Sequence, residues 1–552
     1  MNAFLSVWTA VPWARARALA STRYGVVASA LLAGAGPALA PPPFGLTPGL
    51  LGFALLLRLL DGADAVRPLR SAFWRAWLAG LAYFYISTSW VGEAFQVDAA
   101  EHGWQGPFAV AFLAGGLALL FAAAGLVYRC FGSRGARRIL AFAAIFALEE
   151  WVRGHFLTGF PWDLVGEAWR AGSPMSQGAA LAGAYGLTLI TLILAAAPAI
   201  AFDQATPWRS RIWKLGGAFA LFLVLWSYGA VRLALAPPAY TGVVVRVVQA
   251  DIDQKDKWKP ENLASILGAY GHLTAQHSTR KPDLIIWPEG AIPASMNDYL
   301  APDTWTRIAV EQALAPGQTL LLGGYREVDS ASGPRFYNSL VALRRTGAGI
   351  ETVGVYDKYR LVPFGEYFPM DHLADVLGLK KLVHVGDGFS AGPPPRPLKL
   401  PSLPAVQPLI CYESLFPSLP EPGILRAAAI VNISNDAWFG ATSGPLQHLN
   451  IASYRAIETG LPMLRATPTG VSAVIDPYGR ALSTLPHGAK AVLDAALPAP
   501  AAPPLYGLIK DRLFFILTTL ALIVSIPPRF YVTAKSAAPG LLSRILVRRP
   551  PD

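Results

Sequence analysis

The sequence predicts a polytopic α-helical membrane domain joined to one α/β extramembrane domain built as an αββα sandwich. Three observations carry this. The apolar excess is large, with 53% hydrophobic and 15% charged residues and a mean hydropathy of +0.39. It is also unevenly placed: long apolar runs fill residues 1–236 and 511–528, whereas 237–510 reads as a soluble domain. Within that domain, strand-like and helical stretches alternate, but hairpin-like strand pairs also occur. That combination calls for mixed sheets packed face to face with helices outside.

A spanning helix needs ~20 mostly apolar residues. Candidates lie at about 24–41, 44–60, 71–91, 108–130, 137–156, 179–201, 212–236 and 511–528. The first two meet at Ala40-Pro41-Pro42-Pro43-Phe44 as a tight hairpin. Residues 1–40 also carry the basic flank, apolar core and Ala38-Leu39-Ala40 site of a signal peptide, but Pro41 hinders cleavage, so the first helix is read as retained. Orientation follows from the loops. Arg15, Arg17 and Arg23, then Arg67, Arg70 and Arg75, then Arg134, Arg137 and Arg138, then Arg209, Arg211 and Lys214 mark one side. Arg529, Lys535, Arg544, Arg548 and Arg549 follow the last span on that same side. Loop 92–107 has Glu93, Asp98 and Glu101 with no Lys or Arg, and loop 157–178 sets Asp163 and Glu167 against Arg170. By the positive-inside rule both termini face the cytoplasm and residues 237–510 face outward.

The +11 net charge therefore sits in short loops rather than on one basic element with interleaved aromatics, which argues against nucleic acid. Trp90, Trp104, Phe160, Pro161 and Trp162 read first as interfacial anchors, with the shaping of a lipid entrance as the alternative.

The outer domain opens with a strand at Gly242–Gln249, followed by a helix over about 260–280. A buried strand over 284–289 closes on Glu289. A helix over about 303–314, a strand at Thr319–Gly323 and strands near 337–344 and 350–357 come next, the last closing on Lys358. The run from Gln407 to Phe416 holds an apolar strand that stops at Cys411, one of only two cysteines in the chain. A strand at 428–434, a helix over about 445–459 and strands near 462–466, 471–476 and 490–495 complete the domain.

Three reactive types thus sit where strands end. A lone cysteine is by default a small buried hydrophobe, but Cys411 lies in an outward compartment without a partner, since Cys130 falls at the cytoplasmic end of the fourth span. Its thiol, with an ordinary pKa of ~8.5, needs help to react at neutral pH. Glu289 is placed to take the proton. Lys358 is placed to lower the thiol pKa and to stabilise an oxyanion, with a backbone N–H after Cys411 as second donor. Read singly, Glu289 is also a cap and Lys358 also a solvated charge.

Trp287-Pro288-Glu289-Gly290, Tyr356-Asp357-Lys358 with Leu361 through Glu366-Tyr367, and Cys411-Tyr412-Glu413 resemble the three signature blocks of the nitrilase superfamily. With the flanking spans, the whole chain resembles that superfamily's apolipoprotein N-acyltransferase branch. Asn435-Asp436, Trp438-Phe439-Gly440, Gln447-His448 and Arg465-Ala466-Thr467 fit as well, while Pro468-Thr469-Gly470 departs from it in one local loop. The resemblance implies a catalytic triad of Glu289, Lys358 and Cys411, a supporting Glu366, and positions near the acyl or head-group path for Trp258, Tyr412 and Glu413. Trp438 and Phe439 are pocket-lining or core-edge residues.

It further implies transfer of a fatty acyl chain from a phosphatidylethanolamine-like phospholipid to the α-amine of a diacylglyceryl lipoprotein, through a Cys thioester. The expected setting is the bacterial inner membrane, with the catalytic domain periplasmic and the chain acting as a monomer. No cofactor is expected, and no Cys/His cluster has zinc spacing. Two rivals stand beside this reading. One is a membrane-tethered amidohydrolase, for which the bundle of spans is unnecessary. The other is a transporter or sensor with an outer binding domain, for which ionisable groups within the spans are sparse, Glu149-Glu150 excepted. The glycine- and proline-rich stretches at 386–388 and 392–395 suggest a mobile loop.

Overall fold

The computed structural model describes residues 22–204, 206–237, 239–331, 333–367, 388–417, 419 and 427–526. Arg15, Arg17, the basic residues after 526 and most of the 386–388 stretch lie outside them.

The N-terminal half is helical: α1 (Arg23–Ala38), α2 (Gly52–Asp61), α3 (Pro68–Ser87), α4 (Gly106–Phe131), α5 (Arg137–Arg153), α6 (Ala179–Ala196) and α7 (Trp208–Ala234). Small residues let these helices approach closely, as in other membrane bundles. A Cβ on Gly34 of α1 would collide with the Ala79 carbonyl of α3. Among the described residues, Ala99–Phe131, Met175–Phe202 and Trp208–Ala234 are long and apolar enough to cross a membrane by length and composition. Helix α7 leaves Phe219, Leu223 and Val224 exposed, a surface suited to lipid. The stretch expected as a second span at 44–60 is mostly the ten-residue α2 behind a 3-10 turn, Thr47–Leu51.

The second half is a two-sheet sandwich. Strands β1 (Tyr240–Gln249), β2 (Leu284–Ile286), β3 (Thr319–Val328), β4 (Arg335–Thr346), β5 (Gly349–Asp357) and β11 (Ala491–Pro498) form a six-stranded sheet, in the order β11-β1-β2-β3-β4-β5. Strands β6 (Val406–Ile410), β7 (Ala429–Ile433), β8 (Met463–Ala466), β9 (Ser472–Ile475) and β10 (Ala481–Leu485) form the other, in the order β10-β9-β8-β7-β6. Both sheets are mixed, as expected. Side chains alternate across each strand, so Val245 and Val247 of β1 meet Ile410, Val431 and Leu464 between the sheets. Val248 of β1 instead faces outward onto α8 (Leu263–Ala275) and α9 (Trp305–Ala313), where Leu267 and Val310 cover it. Helix α10 (Gly444–Thr459) covers the other outer face through Ala452 and Ala456. Layer order is therefore αββα. Helix α11 (Arg512–Ser525) returns to the bundle and packs on α5 and α6.

Strands β1, β2 and β3 run parallel, and β3-β4-β5 is an antiparallel meander, so β5 ends where β2 ends. In the other sheet β6, β7 and β8 run parallel. The ends of these strands collect at one edge of the sandwich. Strand β10, which sequence patterning passes over, is almost wholly exposed and lacks an apolar face.

The two halves are joined by buried charge. Arg455 of α10 pairs with Glu167 of the 157–178 loop at 2.9 Å and with Glu458 at 2.8 Å. Glu458 in turn accepts the Ala184 N–H of α6 at 2.8 Å. Within the bundle, Arg153 lies 3.6 Å from both Glu149 and Glu150 and donates to the Phe160 and Trp162 carbonyls. The ionisable pair on α5 is thus taken up in holding the loop that meets the two-sheet sandwich. Trp90 and Trp162 are not surface anchors: both are buried and pack with Phe439 beneath the sandwich edge, whereas Trp104 is exposed.

Candidate active site

Glu289 follows β2 by three residues, Lys358 directly follows β5 and Cys411 directly follows β6. Because those strands end at one edge, groups distant in sequence converge there. Gly323 of β3 permits the packing, since a Cβ would lie 2.4 Å from the Pro288 carbonyl oxygen and 2.7 Å from Glu289 Cα.

Lys358 is 1% exposed, so the solvated-charge reading fails for it. Its Nζ lies 2.9 Å from Glu366 Oε1 and 3.4 Å from Glu289 Oε1. Burial disfavours the ammonium, but the Glu366 and Glu289 carboxylates outweigh burial and hold it well above the ordinary lysine range. Asn338 of β4 donates one amide to both carboxylates, at 2.7 Å each. The remaining oxygens are also held: the Asn435 N–H reaches Glu289 Oε2 at 2.6 Å and the Val362 N–H reaches Glu366 Oε2 at 2.8 Å. Each carboxylate is fixed at both oxygens, which orients the pair around one ammonium.

Cys411 opens the 3-10 turn Cys411–Leu415 with φ of 49°, a left-handed conformation uncommon for a residue with a side chain. Burial, then the Glu289 carboxylate, push its thiol up to about 12, against the pull of Lys358 and a hydrogen bond from Ser434. The expected net lowering by Lys358 does not occur. At that value the thiol is protonated at pH 7.

A buried polar chain backs this turn. Ser414 Oγ lies 2.9 Å from the Cys411 carbonyl oxygen, and His448 Nε2 lies 3.0 Å from Ser414 Oγ and 3.3 Å from that same carbonyl. His448 Nδ1 is 3.1 Å from Asp436 Oδ1, and Asp436 is paired with Arg465 at 2.8 Å. Burial raises the cost of charge on Asp436, but Arg465 and His448 hold its carboxyl well below the usual carboxylate range. Burial and Arg465 lower the His448 pKa, so the imidazole is neutral and its Nδ1–H faces Asp436. In a planar peptide the N–H points opposite to the C=O. With the proton on Nδ1, Nε2 can only accept, so Ser414 Oγ is the group that donates to the Cys411 carbonyl, and this turns the Tyr412 N–H the other way.

The remaining expected positions divide. Glu413 is fully buried behind the centre, accepting from Tyr356 Oη at 2.6 Å, the Tyr359 N–H at 2.8 Å, the Arg360 N–H at 3.1 Å and the Ile410 N–H at 2.7 Å. It ties the Lys358 loop to the Cys411 turn rather than lining an open path. Tyr412 is buried and donates to the Gly159 carbonyl at 2.5 Å, joining that turn to the membrane domain. Phe439 packs against Trp90, and Trp438 sits partly buried beside the same cluster. Trp258 is 42% exposed, near Tyr325.

Sequence reasoning missed Asn338, Ser414 and Lys257. Lys257 is buried, with its Nζ 2.5 Å from where a Cβ on Gly290 would stand, and burial draws its pKa down to about 8 while Glu289 pulls it back up. Its polar neighbours in sequence mark it as a surface lysine, so no local signal distinguishes it.

Comparison with known proteins agrees along the chain. Residues 244–502 match the carbon-nitrogen hydrolase family, and residues 33–197 match the apolipoprotein N-acyltransferase N-terminal domain. An apolipoprotein N-acyltransferase from Caulobacter vibrioides is 54% identical over 93% of this chain and 96% of its own. One from Allorhizobium ampelinum is 38% identical over 96% of this chain and 99% of its own. An amidase of the nitrilase superfamily from Nesterenkonia aligns with 51% of this chain and 98% of its own, at 18% identity and a TM-score of 0.32. With both halves matched and a relative of 54% identity along nearly the whole length, the chain belongs to the apolipoprotein N-acyltransferase family.

Proposed function

We propose that this protein transfers a fatty acyl chain from a membrane phospholipid to the α-amine of a lipoprotein's diacylglyceryl-cysteine, with Cys411 as nucleophile, Glu289 as base and Lys358 as oxyanion-stabilising cation. The observation that carries the assignment of roles is the convergence of Glu289, Lys358 and the strained Cys411 turn at one buried edge, directly above the membrane domain.

In the first half-reaction the Cys411 sulfur attacks the ester carbonyl as its proton passes to Glu289. The tetrahedral oxyanion faces Lys358 and the Tyr412 N–H. Collapse breaks the ester C–O bond, Glu289 returns the proton to the leaving alkoxide, and a lysophospholipid departs from a thioester. In the second half the lipoprotein amine attacks the thioester and gives its proton to Glu289. The C–S bond breaks, the thiolate is reprotonated and an amide leaves. Kinetics are ping-pong. Both substrates are lipid-anchored, which accounts for a catalytic domain seated on a helical bundle. We place the bundle at residues 1–236, the catalytic domain at 237–510 on the periplasmic side, a last span at 511–528 and a cytoplasmic tail at 529–552, with phosphatidylethanolamine-like lipid as donor.

The test is intact-protein mass spectrometry after mixing purified protein with phospholipid and no acceptor. One added acyl mass, released by hydroxylamine, absent in Cys411→Ala and discharged onto a diacylated lipopeptide, is expected. A folded enzyme that acylates on no phospholipid, or that passes the chain only to water, overturns the proposal.

A further inference from the structure

A cavity of about 760 Å³ opens between the membrane-domain loop at Thr158 and the segment that follows Lys358. Its walls carry, among the described residues, two guanidiniums, Arg335 and Arg360, the hydroxyl residues Tyr359, Tyr367 and Ser390, and no carboxylate. Among the described residues neither arginine is in an ion pair. Arg360 is the more telling of the two. Its guanidinium stacks over Tyr359 and Phe416 at 5.4 and 5.2 Å, which fixes its plane. Its Nε is buried with no hydrogen-bond partner among the described residues, and the guanidinium's one polar contact with them, to the Thr158 carbonyl, is 3.5 Å, longer than an ordinary hydrogen bond. A preoriented, underused guanidinium beside a second one is a receptor for an oxyanion, phosphate above all.

The position narrows the ligand. Arg360 is two residues beyond Lys358 and lies over Phe416 of the nucleophile turn, so an anion held here is close to the reacting centre. The opposite wall comes from the loop after α5, where Phe156 and Leu157 are 60% and 79% exposed. Exposed apolar residues beside the mouth suit a site at the membrane interface, the level at which lipid phosphates lie.

Resting on the acyltransferase reading, we propose that this cavity holds the phosphate of the donor phospholipid, with Arg335 and Arg360 as its ligands, and so selects glycerophospholipids over neutral diacylglycerols of equal chain length.

The test compares acyl-enzyme formation from phosphatidylethanolamine and from diacylglycerol with matched chains, in wild type, Arg335→Gln, Arg360→Gln and the double variant. The wild type is expected to prefer the phospholipid by about tenfold or more, as the loss of charge-assisted bonds implies. The double variant should lose that preference while keeping its diacylglycerol rate, and exposed Arg335 should show a partial loss without risk to folding. Native mass spectrometry on a Cys411→Ala background reads the same preference as retained lipid, independently of any chemistry. A failure of acylation by every donor would therefore sink the acyltransferase reading and still leave this one decidable.

An undiminished preference in the folded double variant overturns the proposal. Inorganic phosphate bound by the wild type and lost in the double variant, with the lipid preference intact, reassigns the cavity to free phosphate and overturns it too. So does a defect confined to discharge onto lipopeptides with acidic residues, which makes the cavity an acceptor site.

Discussion

Lys358 lies closer to Glu366, at 2.9 Å, than to Glu289, at 3.4 Å. The supporting carboxylate therefore carries much of the ammonium's countercharge, and Glu289 keeps a weaker hold on it. That division suits the role proposed for Glu289, a base that binds and releases a proton twice per cycle.

Two substitutions separate these roles. Glu289→Gln removes the proposed base and should slow acyl-enzyme formation by about 10²–10⁴. Glu366→Gln keeps the shape but leaves Lys358 with Glu289 alone, drawing that carboxylate into a tighter ion pair. A loss of about 10²-fold in kcat with little change in KM is expected. Rapid-quench measurement of the thioester checks both, and a Glu366→Gln enzyme of normal rate would contradict the assignment.

The thiol's displacement to about 12 has a direct pH consequence. A raised acid pKa favours the protonated form, so below it the thiolate fraction rises about tenfold per pH unit. Alkylation of Cys411 by iodoacetamide in lipid-free enzyme should keep climbing from pH 7 to beyond pH 10. The measurement belongs on a Cys130→Ser background, because Cys130 is exposed. A plateau near pH 8.5 would show an unperturbed thiol.

Ser414 donates to the Cys411 carbonyl and His448 backs Ser414, so their loss should be felt in the oxyanion rather than in lipid binding. Ser414→Ala and His448→Gln are expected to lower kcat by about tenfold or more while the lipid KM holds. Affinity for a fatty aldehyde, which forms a tetrahedral adduct with the thiol, should fall in parallel. Equal losses in KM and thermal stability would instead mark a merely structural role.

Arg455 is buried between Glu167 and Glu458 across the junction of the two halves. Arg455→Met strands two buried carboxylates and should destabilise the protein by about 3–5 kcal/mol. Replacing all three by apolar residues of similar volume should recover most of that. Differential scanning fluorimetry in detergent reads both outcomes.

Much of the fold was legible in the sequence because its causes are local. The period of apolar residues separated helical from strand segments, Pro237 and the composition change marked where the soluble stretch begins, and β-branched runs marked the buried strands at 242–249 and 428–434. Strand β10 escaped because it is exposed and has no apolar face to give a period. The residues we propose as reactive stood out in the sequence because each follows an apolar strand, Lys358 and Cys411 directly and Glu289 three residues on.

What the chain alone determined is this inventory: which segments are apolar, which strands end on a carboxylate, an amine or a thiol, and which motifs resemble a known family. Tertiary structure decided the partners. Only the meander that turns β5 parallel to β2 puts Lys358 beside Glu289. Only packing reveals that Glu366 competes for Lys358, that Glu413 braces rather than faces the site, and that Ser414, backed by His448, holds the Cys411 carbonyl. The physical reason is that hydrophobic periodicity is written in neighbouring residues. The charge and hydrogen-bond state of a buried group is set instead by residues far off in sequence, 146 positions between Asn435 and Glu289 and 288 between Arg455 and Glu167.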